Sequence, residues 1–180
     1  MKLTDILPIE KWIALEKDLH NRYGLNVNVF DTSGVRISDF KEWVNRLCPA
    51  IKATDKGQSF ICAVAHMNIA AQAMQTRRPA IEECDAGLVK IVVPIFMDDA
   101  FLGVVGACGL LLDAGEVDTF LIDKIAGIDE ETAEKLAADV DTISTAGAES
   151  IAEDVTRRIA SIVSAYKNKK TANLNDSGYP

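Results

Sequence analysis

At 180 residues the chain is long enough for one domain whose buried core needs no metal or disulfide staple. Charged residues make up 26 % and hydrophobic residues 48 %, which excludes the composition of a disordered or membrane-integral chain. A net charge of -8 repels phosphate backbones, and the one dense basic patch, KNKK at 167–170, does not offset it, so nucleic acid is not an expected partner.

The opening MKLTDILPIEKW lacks the basic, apolar and small-residue regions of a signal peptide, so the expectation is a cytoplasmic protein with no membrane contact. Pro8 suits a helix's first turn, and apolar residues recur from Ile9 to Leu19 until Gly24, predicting a helix over about 8–22. LNVNVF alternates with period two, DTSG is a turn and VRIS reads as the answering strand of an edge hairpin. Lys41 to about Ala53 reads as a helix in which Pro49 bends the chain or delays its start. The alanine-rich FICAVAHMNIAAQAMQ predicts a longer helix over 60–75.

Cys84 then stands at the start of a strand. The apolar runs 88–97 and 101–112, separated by DDA, form a hairpin of strands covered on both faces. Gly103, Gly106 and Gly109 recur every three residues in the second run, where a packed helix or a ligand must come close. EVDTFLIDKIA and DEETAEKLAADVDTI read as two acidic helices, the second capped by Asp129. A last helix, about Ala146 to Lys167, carries Ala148, Ala152, Val155, Ile159, Ile162 and Tyr166 at spacings of four and three. That pattern fits a coiled-coil seam or a helix laid across its own domain. Residues 171–180 read as a loose tail.

Enzyme signatures are absent: there is no phosphate-binding loop, nucleophile elbow, dinucleotide fingerprint or zinc-protease helix, so no catalytic residue is assigned. Of two histidines, His20 reads as solvated, whereas His66 shares a helix face with Cys62 and is a ligand-contact candidate. Glu82, Glu83 and Asp85 surround Cys84 and raise its thiol pKa, which makes it a poor nucleophile. Cys48, Cys62 and Cys84 are separated by thirteen and twenty-one residues, without a CxxC pair. Three such thiols can still converge on a metal in the fold, with His66 or Asp85 as a fourth group. Cys108, among glycines, reads as plain core.

In order, LCPAI (47–51), FIC (60–62), an alanine-rich helix, RRPAIEECDAGLVKIVVPI (77–95) and FLGVVGACG (101–109) resemble the PocR ligand-binding domain over about residues 4–126. Cys48, Cys62, Cys84, Ala86, Gly87 and Leu88 carry the family's motif. The resemblance implies an α+β sensor, a PAS/GAF-like antiparallel sheet flanked by helices, with a small molecule or cofactor bound between them. Asp85 stands where the family commonly has histidine, and Leu110 where it commonly has glutamine, so a diol-like ligand does not simply carry over.

The expectation is a sensory domain over 1–127, C-terminal helices over 128–170 that signal through a homodimer or a protein partner, and the tail. Its candidate ligand-binding residues are Cys62, His66, Cys84, Asp85, Gly103 and Gly106. The alternatives are a metal, iron-sulfur or haem redox sensor ligated by Cys48, Cys62 and Cys84, and an interaction protein that binds no ligand.

Overall fold

The structure is a computed structural model, and it describes residues 1–176. Its centre is an antiparallel sheet in the order β1 (Asn26–Asp31), β4 (Ala100–Leu112), β3 (Leu88–Met97), β2 (Ala80–Glu83). A two-residue β5 (Thr142–Ile143) runs parallel to the end of β4. The mixed α+β architecture expected from the sequence, an antiparallel sheet flanked by helices, is what the chain adopts.

The two long strands are buried along almost their whole length because helices cover both faces. On one face lie α2 (Ile9–Tyr23) and α7 (Thr145–Asp176), whose Trp12, Leu19, Val155 and Ile159 join Val27, Val29, Val93 and Val105 in the main core. Trp12 is fully buried, and its indole N–H donates to the carbonyl of Leu3, in the short helix α1 (Leu3–Ile6), at 3.1 Å. On the other face lie α3 (Leu47–Lys52), a π-helical segment (Gly57–Ala63) and α4 (Val64–Thr76). A smaller cluster around Leu47, Ile51, Ile61 and Ile122 ties that side to α5 (Thr119–Ala126) and α6 (Glu130–Ala137).

Several predicted elements change for identifiable reasons. VRIS forms a single bridge, Phe30 to Arg36, instead of a strand. The buried Glu16 carboxylate takes the Val29 N–H at 2.7 Å, a donor that a full hairpin would pair across, and holds Ser38 Oγ at 2.6 Å. The helix expected from Lys41 begins only at Leu47, because one side-chain amide captures the preceding backbone and another caps the helix's first turn. Asn26 accepts from the Val44 N–H at 2.9 Å and Asn45 from the Cys48 N–H at 2.8 Å, which leaves Pro49 in the first turn where it is tolerated.

Cys84 does not start a strand. It sits in the turn between β2, which the sequence reading passed over, and β3, where the Gly87 N–H donates to the Cys84 carbonyl at 2.8 Å. Gly87 has φ +80°, and a Cβ there would strike the Glu116 carbonyl, so the turn requires glycine. The second acidic helix ends at Ala137, short of β5.

The last helix runs past Lys167 to Asp176, so 171–176 of the segment read as tail is helical, while 177–180 lie outside the described residues. Of the two readings of its apolar pattern, the helix laid across its own domain is the one adopted. Ala148, Ala152, Val155 and Ile159 are buried in the chain's own core, with Ile162 and Tyr166 packed against it. Arg158, reaching Asp154 at 2.7 Å and Asp18 at 2.6 Å, fastens this helix to α2.

Candidate functional site

The period-two alternation of β1 gives the sheet one apolar and one polar face. Val27 and Val29 enter the main core, whereas Asn26, Asn28 and Phe30 turn to the opposite side. There Asn28 pairs in register with Gly106 and Asn26 with Cys108, and Cys108 in turn pairs with Lys90 of β3. These residues form the sheet wall of a cleft of about 380 Å³, a size suited to a small molecule.

The facing wall is the π-helical segment and the first turn of α4, contributing Gln58, Cys62, Ala63, His66 and Met67. A π-helical turn widens the helix and shifts every following side chain, a distortion found often at functional sites. Gly106 lacks the side chain that would meet the Phe30 ring, which an added Cβ would approach at 3.1 Å. Phe30 consequently lies against His66, ring centres 3.9 Å apart. Three asparagines pin the loop that closes the cleft's end. Besides the bonds of Asn26 and Asn45 already described, Asn28 donates to the Phe40 carbonyl at 2.9 Å and Asn45 to the Gly109 carbonyl at 2.6 Å. That loop presents Trp43, and the α3 that follows presents Cys48 and Lys52.

The electrostatics of the cleft are one-sided. Arg36, Lys52 and Lys90 line it and no carboxylate does. Burial, followed by the charges of Lys90, Lys52 and Arg36, pushes His66 down to about 3, so the imidazole is neutral at physiological pH. Both its ring nitrogens are buried without a hydrogen-bond partner among the described residues, as is the amide nitrogen of Asn26. Burial pushes the Cys62 thiol up to about 11 and raises Cys48 and Cys84 as well, so all three are protonated thiols near neutral pH. Neither a thiolate nucleophile nor an oriented base is assembled here.

Of the residues singled out in the sequence, Cys62, His66, Gly106 and Cys48 line the cleft. Cys84 packs instead behind it, with Leu47, Ile61 and Leu88 in the smaller core cluster. Asp85 is exposed in the β2–β3 turn. Gly103 lies against the Phe30 backbone and Leu3, where it permits the close approach of β1 to β4. Among the described residues no three His, Cys, Asp or Glu side chains come together closely enough to hold a metal ion.

The family described as the sensory domain found in PocR matches residues 5–166. The chain belongs to the PocR sensory-domain family. The match takes in both helical layers and most of α7, beyond the 4–126 over which the motifs were legible. Comparison with curated proteins and with solved structures returns no match. Among the described residues no helix of this PocR domain is long and apolar enough to cross a membrane.

Sequence reasoning missed the cations and amides of the PocR-domain cleft. Lys90 had a visible signal, a charge inside an otherwise apolar strand, and so did Asn26 and Asn28, the polar half of an alternating strand. Arg36 and Lys52 had none, since each reaches the cleft only through the loop and helix that carry it. Cys108, read as plain core, lines the cleft opposite Lys90.

Proposed function

We propose that this PocR-family domain is a cytoplasmic, non-enzymatic sensor that binds a small molecule in the cleft between its sheet and the π-helical segment. The observation that carries the reading is the orphaned polar chemistry of that cleft. His66 is 4 % exposed with two unpartnered nitrogens, and Asn26, in the sheet wall of the same cavity of ligand size, has an unpartnered amide nitrogen. Buried polar groups left unpaired are costly, and a bound molecule that pairs with them relieves that cost.

Cys62, His66 and Gly106 are the contact residues, and Cys48 stands beside them. The signal leaves through the segments that close the cleft, the Phe40–Lys52 stretch and the π-helical turn, toward a protein partner. A homodimer through α7 has less support, because the seam that would form it packs on the chain's own sheet. Binding shifts the cleft-closing segments only to the extent that their two arrangements differ in affinity for the ligand.

Ala63 lines the cleft without belonging to any core cluster, so Ala63→Phe fills the space. A thermal-shift screen of small polar organic molecules on the full chain is expected to find compounds that raise the melting temperature of the parent and leave Ala63→Phe unmoved. Hits that stabilise both proteins equally place binding elsewhere and contradict the reading. Anaerobic purification with an absorption spectrum belongs beside the screen, since a visible chromophore lost in Cys62→Ser would replace the small-molecule reading with the cysteine-ligated centre.

A further inference from the structure

The charge of the cleft is informative about the charge of what it binds. Lys90 is only 9 % exposed, on the central strand β3. Among the described residues no carboxylate lies within ion-pair distance of Lys90, Arg36 or Lys52. The acids that could have served are engaged otherwise. Glu82, opposite Lys90 in register, is exposed and takes a hydrogen bond from Gln72 at 3.3 Å, and Glu16, which attracts Arg36, is held by Val29 and Ser38.

Aromatic faces offset part of this charge. Lys52 stands 5.7 Å from the Trp43 ring centre and Arg36 stands 6.0 Å from that of Phe30. Neither contact supplies a negative charge, and the protonated thiols of Cys48 and Cys62 supply none either. Outside the cleft the same Arg36 and Lys52 border a second depression together with Lys41, so positive charge continues to the surface. In a chain of net charge -8 this is a local reversal of sign, and a cation without a counterion in a partly dehydrated cleft is unfavourable until an anion arrives.

We propose that the cleft is built for a small organic anion, whose carboxylate or phosphate group meets Lys90 on the sheet and Arg36 and Lys52 toward the opening. Its body lies against Phe30 and Trp43, and the neutral His66 and the Asn26 amide provide uncharged hydrogen bonds. This rests on the sensory cleft proposed above and adds the charge of its ligand.

The test uses the full chain, calorimetric titration and the fluorescence of Trp43, which borders the cleft while Trp12 is fully buried. The probes are propionate, benzoate, glycolate, phosphoglycolate and inorganic phosphate, set against propanol, benzyl alcohol and the matching carboxamides. At least one anion is expected to bind about tenfold or more tightly than its neutral counterpart. That affinity falls as salt rises and drops at least about tenfold in Lys90→Met, and in Arg36→Gln should Lys90→Met not fold. Binding by phosphates alone, or by carboxylates alone, supports the inference and identifies the head group. Neutral compounds that bind as well as the acids, unaffected by either variant, overturn the anion inference and leave the sensory cleft standing. Failure of both classes to bind overturns the two together.

Discussion

His66 concentrates the chemistry of the site in one residue. Its folded pKa, about 3, lies below the ordinary 6.5, so between those values the unfolded chain binds a proton that the folded chain refuses. Stability contributed by the neutral ring is therefore intact above pH 6.5 and is lost as pH falls toward 3, by up to roughly 1.4 kcal/mol per pH unit. His66→Gln, which cannot titrate, is expected to lose less stability than the parent between pH 7 and pH 4.5 in urea denaturation. Equal losses would mean that the ring is not held neutral by burial. The sequence placed His66 beside Cys62 on a helix face, which was enough to nominate both. It could not show which of the other cysteines would join them, because Cys84 is turned into the smaller core by the geometry of a tight turn and Cys108 is turned into the cleft by strand register.

At the scale of elements, the strands and long helices were legible because their signals are local. Apolar runs of strand length, a two-residue break at Asp98–Asp99 and the 3.6-residue period of α2 lie in the sequence itself. The lost elements were decided by side chains outside the predicted run: Glu16 takes a β1 donor in place of a second strand, and Asn26 captures the Val44 N–H before α3, whose first turn Asn45 then caps. The π-helical register of Gly57–Ala63 left no pattern that distinguishes it from the helix it leads into. For α7 the sequence offered two packings with one apolar pattern, and they separate experimentally. Ile159→Ala removes a side chain 5 % exposed in the monomer core, so a loss of about 2–5 kcal/mol is expected, independent of protein concentration. A loss that grows on dilution would instead assign the seam to a second copy of the chain.

At the scale of the whole molecule, the sheet divides two kinds of chemistry. One face is an apolar core sealed by α2 and α7. The other carries the amides, thiols and cations on which a ligand can act, covered by α3, the π-helical segment and α4, which rest on two smaller apolar clusters, and by a loop pinned through side-chain hydrogen bonds. A rigid wall facing a cover of short helices and loops suits a sensor, since binding energy can act on the cover without unfolding the core. The most direct measurement is an amide NMR titration of the full chain with the mixed panel of small acids and neutral analogues. A ligand-binding cleft on this face of the sheet implies shifts concentrated at Asn28, Cys62, His66, Lys90 and Gly106 and in the segments facing them. Shifts clustered instead in the depression between Pro79 and Arg157, or none with any compound, would contradict it.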